Sequence, residues 1–386
     1  MNRKQMGWSA VCIAALLITA LAASGCGKGK DEKAPPPASP GSATKLGLAD
    51  LAPKDTFAIV LMDYKAIAAT GVVEKSTHLK KLAQSQPLPL PLAKVDELAI
   101  FFVMDPAKAD EGAAACGVVK HREANAAVEG TLKKQQIGPP QVVAGKAAYT
   151  AAGNTCYACV DETTLVFGKD TATLAEMVKI VKAGKGEPSP ALRSAVSGHP
   201  GAQIRAALAP SRQMKDNLLK NLPMKNPPKY VPDAEHVGAG LTIRETAFTL
   251  DAAVVFGSPG STEQACKEGN DYLSSSRTEV VRQTEELEKS GKAGPATMMM
   301  KTYLEVLNTM KFASRGNELT FTMNASLDQL EQLVSLFALT AAAQAGAMQR
   351  TRGTPARATE QPPAGEGAAE GPPEGGGKTG TEETTK

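Results

Sequence analysis

Cys156-Tyr-Ala-Cys159 has the spacing of a redox dithiol, whose chemistry needs the first sulfur at a helix N-terminus. Its flanks argue for something else. Gly153-Asn154 before it, Asp161-Glu162 after it, and the Thr, Tyr and Val around the sulfurs predict a short strand between turns. Side chains three apart on a strand point to opposite faces, so these two cysteines are not placed to bond each other. His78, His121, His199 and His236 form neither H-x-H nor H-E-x-x-H, the spacings that present two imidazoles to zinc, and each is expected at the surface or in a loop. Ser197-Gly198-His199, followed by Pro200, has no nucleophile elbow around it. Gly238-Ala239-Gly240 lacks the third glycine of a dinucleotide loop. It lies in an apolar run, where small residues let a helix approach a sheet. Gly375-Gly-Gly-Lys-Thr falls short of a phosphate loop because Pro372 stands at the required first glycine. Asp55, Asp63 and Asp161 adjoin strand ends and are expected to bond nearby turn amides. Met298–Met300 with Tyr303, Leu304, Leu307 and Met310 form an apolar helical stripe that reads as core. No cofactor, metal or catalytic group is expected from these residues.

Cys26 is different. Arg3 and Lys4 open the chain, Trp8 to Ala23 is an apolar run, and Ala23-Ser24-Gly25 are small residues immediately before Cys26. This is the three-part layout of an export signal, shorter than the ~20 apolar residues a membrane span needs. The boundary resembles the lipobox of bacterial lipoproteins, with Ala23 where that family prefers Leu. The resemblance implies cleavage before Cys26 and a thioether lipid on its sulfur, with palmitate as the label. Buried methylenes contribute ~0.8 kcal/mol each, so a multiply acylated cysteine anchors durably. Gly27 in place of Asp implies, by the same resemblance, the outer rather than the inner membrane.

Cys12 leaves with the signal and Cys26 takes the lipid, which leaves Cys116, Cys156, Cys159 and Cys266. In an oxidising compartment one candidate disulfide joins Cys116 to Cys156 or Cys159; unpaired, all are buried small hydrophobes. The formal net charge is +3, two of those charges belong to Arg3 and Lys4, and Trp8 is the single tryptophan. A nucleic-acid partner would need a basic stripe and stacking aromatics, so none is expected.

The elements that must position any site lie between two polar ends. Residues 1–25 are read as the signal, 26–47 as a flexible Lys-, Pro- and Ser-rich tether, and 346–386 as a disordered low-complexity tail. Between them, 48–190 and 191–345 repeat one order of elements: strand, helix, two strands, helix, strands, helix. Asp170 caps a helix whose stripe is Leu174, Met177, Val178 and Val181, stopped at Gly184. Ser261 with Gln264, and Ser326 with Gln329, look like capping boxes. Gly316-Asn317 marks a hairpin turn, and the stretch 185–200, GKGEPSP to SGHPG, breaks the pattern between the halves. The expected class is α+β: two related halves, mainly antiparallel sheets, helices packed on one face, as two domains or one continuous sheet. Ala52 to Asp63, APKDTFAIVLMD, resembles the opening of a poorly characterised bacterial envelope lipoprotein family, where a Pro-x-Asp-Thr turn feeds an apolar strand. That resemblance implies architecture and no activity.

Lipobox, tether and two-part body point to a lipid-anchored envelope protein with a non-catalytic binding or scaffolding role. Its partners would be the membrane, through Cys26, and an envelope protein. The alternatives are a carrier of an apolar ligand such as a lipid, with Met, Leu and Val lining a cavity, and an enzyme of unrecognised type.

Overall fold

The computed structural model describes residues 47–76, 89–104, 113–151, 154–221, 230–291, 294–329 and 331–332. All of these lie in the compact unit Met1–Phe337. Cys26, His78, the signal, the tether as far as residue 46, the Gly375–Thr379 stretch and the tail fall outside the described residues.

Among the described residues twelve strands form one sheet. In chain order they are β1 Thr56–Asp63, β2 Val95–Val103, β3 Ala114–His121, β4 Gln141–Val143, β5 Lys146–Thr150, β6 Cys156–Asp161 and β7 Thr164–Gly168, then β8 Ile204–Leu208, β9 Ala234–Ile243, β10 Ala247–Phe256, β11 Lys311–Arg315 and β12 Glu318–Ser326. Across the sheet they run β11-β12-β10-β9-β8-β1-β2-β3-β7-β6-β5-β4. Neighbouring strands pair antiparallel throughout. Read outward from the central β1–β8 pair, both directions give the same order: first, second and third strand of the half, then its last, then its last but one. The first half adds the β4–β5 hairpin at its outer edge. The α+β class and the two related halves are therefore as the sequence predicts, sharing one continuous sheet.

Among the described residues the helices are α1 Tyr64–Ala69, α2 Val72–Lys75, α3 Asn125–Gln135, α4 Thr171–Ala183, α5 Pro190–Ser197, α6 Arg212–Asn221, α7 Pro259–Lys289 and α8 Pro295–Thr309, and helix resumes after β12 from residue 327. They cover both faces of the sheet, where one was expected. On the front face Ile59, Leu61, Phe101, Cys116, Val118, Ala158 and Val166 pack beneath Leu174, Met177 and Val178 of α4 and Leu192, Ala195 and Val196 of α5. On the back, Leu98, Val119, Tyr157 and Leu165 meet Val128 and Leu132 of α3. Farther along the same back face α7 and α8 bury Leu273, Val280 and Leu307 against Val254, Phe256 and Leu319. The reason is in the strands. All five residues from Cys156 to Val160 are buried, so β6 is apolar on both sides and both need cover. Each fully buried Leu, Met or Val contributes ~1.5–3 kcal/mol, enough to fix which side a helix takes.

Local signals explain most element ends. Asp170 accepts from the Thr173 amide at 2.8 Å, and Gly184 ends α4 at φ +65°. Ser326 and Gln329 exchange the two bonds of a capping box, 2.8 and 3.1 Å. The long helix α7 starts earlier than Ser261. Ser258 is its cap, accepting from the Ser261 amide, and Pro259 sits at the first helical position, where a missing N–H costs nothing. In the predicted break, Ser189 caps α5 and Pro190 opens it.

Candidate functional site

Among the described residues the front face of the second half is open. In the first half α4, which follows the last strand β7, lies over β3, β6 and β7. By strand order the matching chain follows β12. It turns instead to the back: Leu327 packs with Ile243 and Phe248, Gln329 donates to Glu305 of α8 at 2.9 Å, and Thr302 of α8 donates to Gln332 at 2.6 Å. Among the described residues no helix takes the α4 place over β10, β11 and β12.

Register fixes what that open face presents. One row across the strands is Ala207, Gly238, Ala253, Thr320 and Ala313; the next is Arg205, Gly240, Asp251, Thr322 and Lys311. A third carries His236, Val255, Glu318 and Arg315. These alternate with the back-face Val237, Val254, Leu319 and Phe312, as a half-buried antiparallel sheet requires. Apart from Ala207, Arg205 and Arg315, these front-face residues floor a cleft of about 1320 Å³. One wall is the loop after α5, with His199, Pro200 and Ala202. The other runs round the β11 edge to Asn270 and Arg277 of α7. Arg277 donates to Leu307 O at 2.8 Å and to Met310 O at 3.0 Å, closing the end of α8. Asn270 donates to Phe312 O at 3.3 Å, covering part of the sheet edge.

Gly238 and Gly240 earn their places by close approach. A Cβ on Gly238 would lie 2.5 Å from Ala195 O, and one on Gly240 2.6 Å from His199 Cβ. The glycine pair thus lets α5 and its loop sit on β9, as the sequence predicts. His199 is half-buried there. Its imidazole is held below the usual range by burial, against the opposing pull of the Gly238 backbone, Asp251 and Glu318, with Arg205 adding to the depression. His236 is lowered by burial in the same way, against Glu235 and Glu318, and its Nδ1 is buried without a hydrogen-bond partner. Carboxylates, imidazoles and Thr hydroxyls on a glycine- and alanine-floored surface form a hydrogen-bonding platform suited to recognition. Among the described residues no three His, Cys, Asp or Glu side chains gather as a metal-ligand set.

The remaining residues singled out in the sequence lie elsewhere. Cys116, Cys156 and Cys159 are buried free thiols, and register excludes the candidate disulfide. Cys116 and Cys156 both face Gly168, from opposite sides of β7. That separates them by two strand spacings, roughly 9.5 Å, beyond the ~7 Å a bridge can span. Cys159 points to the back face. Burial pushes the Cys116 thiol up to about 12 and that of Cys159 up to about 11. His121 is no surface residue: it ends β3 at 1% exposure, its Nδ1 lies 3.0 Å from Glu123 O, and burial lowers it. Asp63 accepts from the Ala66 amide at 2.7 Å and Asp161 from the Thr163 amide at 2.9 Å, the turn roles expected of them. Met300, Tyr303, Leu304, Leu307 and Met310 are core, whereas Met298 is 66% exposed. Sequence reasoning missed α5 and the open face. The Ser189-Pro190 start and the 3–4 spacing of Leu192, Ala195 and Val196 were the available signal for the helix. No signal marked the face.

No family model matches the chain, and no curated protein does. Solved structures of TP0453 are similar over 75% of this chain. Crystal form III is matched over 97% of its length at 8% identity and TM-score 0.42; form IV over 96% at 8% and 0.41; form I over 96% at 9% and 0.39. No described helix is long and apolar enough to cross a membrane.

Proposed function

We propose that this chain is a lipid-anchored bacterial envelope protein that binds or scaffolds a partner without catalysis, using the open front face of β9–β12. The observation that carries the reading is the contrast between the two halves. Among the described residues the same strand order is roofed by α4 in one half and has no such helix in the other, and that second half presents Thr242, Asp251, Glu318, Thr320 and Thr322 in place of buried aliphatics. A sheet that exchanges apolar for polar residues on one face is built to meet water or a polar surface. The polar floor, and an open sheet that ends at β4 and β11, support a macromolecular partner over the carriage of an apolar ligand. The anchor is Cys26, and the absence of Asp at position 27 favours the outer membrane.

Two measurements test the reading. Palmitate labelling of the full chain should vanish in Cys26→Ala; labelling that persists refutes the anchor. Material captured from native envelopes by the wild-type chain should be lost with Thr322→Arg on the front face and retained with Lys301→Glu on α8 at the back. Equal capture by both variants refutes the front face.

A further inference from the structure

The loop that walls the cleft is tied at both ends and carries one backbone bond of its own, from the Ala202 amide to His199 O at 3.2 Å. At its start, Gly198 donates to Ser194 O at 3.1 Å, closing α5. At its end Gln203 is fixed to β9 by its amide to Leu241 O (3.1 Å), by its side-chain nitrogen to Ile243 O (3.1 Å), and by its side-chain oxygen from the Ile243 amide (2.7 Å). Between these ties stand Gly198 to Ala202, with glycine at 198 and 201. His199 and Ala202 press on the strand at the gap left by Gly240, and the His199 ring is hydrogen-bonded to the Gly238 backbone. The half-buried imidazole therefore holds the loop down over β9.

We propose that the 198–202 loop is a pH-sensitive latch on the cleft, closed while His199 is neutral and released when the ring is protonated. A charged imidazole needs water that the contact with Gly240 denies it. The groups facing His199 are Asp251 on β10 and Glu318 on β12, which favour the charge, Arg205 on β8, which opposes it, and the Gly238 backbone on β9. Burial outweighs the favourable set, so the ring escapes its cost by lifting away, and the loop lifts with it. Lifting bares Gly240 and widens the cleft on its β8 side. His236 on β9, beside Glu235 and Glu318, is likewise lowered by burial and changes the sign balance of the floor when it gains a proton. The use of the latch to control a partner rests on the cleft being the binding face; its motion does not.

The test uses the full chain with isotope-labelled histidine, each resonance assigned by its own His→Gln variant. His199 should titrate below 6.5. Amide exchange of residues 198–202, corrected for its intrinsic pH dependence, should rise as pH falls through that titration, tenfold for each unit by which His199 lies below 6.5. In His199→Gln this pH dependence should disappear. In Gly240→Ala, where the added methyl displaces the loop, the His199 midpoint should move up toward 6.5. Exchange that is independent of pH, a dependence that survives His199→Gln, or a midpoint unmoved in Gly240→Ala each overturns the latch. Loss of partner capture with an intact exchange response counts against the binding reading alone.

Discussion

Gly238→Ala is the sharpest single perturbation of the packing that builds the cleft. The new methyl would sit 2.5 Å from the Ala195 carbonyl oxygen and 3.1 Å from its carbon. Both atoms belong to the backbone of α5, so no rotamer can relieve the contact, and the helix must rise from the sheet. Forced overpacking of this kind costs ~1–3 kcal/mol. Removing a glycine from a strand returns ~0.5–1 kcal/mol by restricting the unfolded chain. The net expectation is a loss of roughly 0.5–2 kcal/mol, and at this size each kcal/mol lowers the midpoint of thermal unfolding by about 2–4 °C. Gly130→Ala is the control: Gly130 lies within α3 with nothing near its missing Cβ, and there the substitution should stabilise by ~0.5–1 kcal/mol. Urea unfolding of both variants beside the parent gives the comparison, with amide exchange in α5 as the local readout. A Gly238→Ala protein as stable as the parent, with α5 amides unchanged, would refute the claim that Gly238 exists to seat α5.

Two further outcomes follow from burial. His121, His199 and His236 are all held below their unfolded value by burial, so the unfolded chain binds protons that the folded one refuses. Stability should therefore be flat above the unfolded value of 6.5 and fall as pH drops below it, and His121→Gln should flatten part of that fall. Denaturant titrations between pH 5 and 8 check this, and stability that rises on acidification would contradict it. Cys116, Cys156, Cys159 and Cys266 should all alkylate in denaturant without a reductant. In the native chain at pH 8, Cys116 and Cys159 should stay unmodified because burial holds both thiols protonated; a mass change on reduction would show the bridge that the register forbids.

What the sequence determined by itself is local, because its signals act over a few residues. The Asp170 cap and Gly184 stop, the Ser326–Gln329 box, the Gly316-Asn317 turn, the opposite facing of Cys156 and Cys159, and the spacing role of Gly238 and Gly240 all depend on neighbours in the chain or on strand period. The α+β class follows from the same local periods read in order. The sequence also carries the whole case for Cys26 as an anchor, since that case is chemical and needs no fold. Only tertiary structure decided which face each helix takes, because that depends on register between strands as far apart in the chain as Ala58 and Leu208. Cys116 and Cys156 look like partners until β7 is found between them. His121 looks like a surface residue until β3 is found with helices and strands on every side. The cleft is the clearest case. Its threonines, Asp251 and Glu318 are ordinary solvent-facing strand residues in the sequence. They line a cleft because the chain after β12 turns to the back of the sheet, and among the described residues no helix takes the place that α4 fills in the first half.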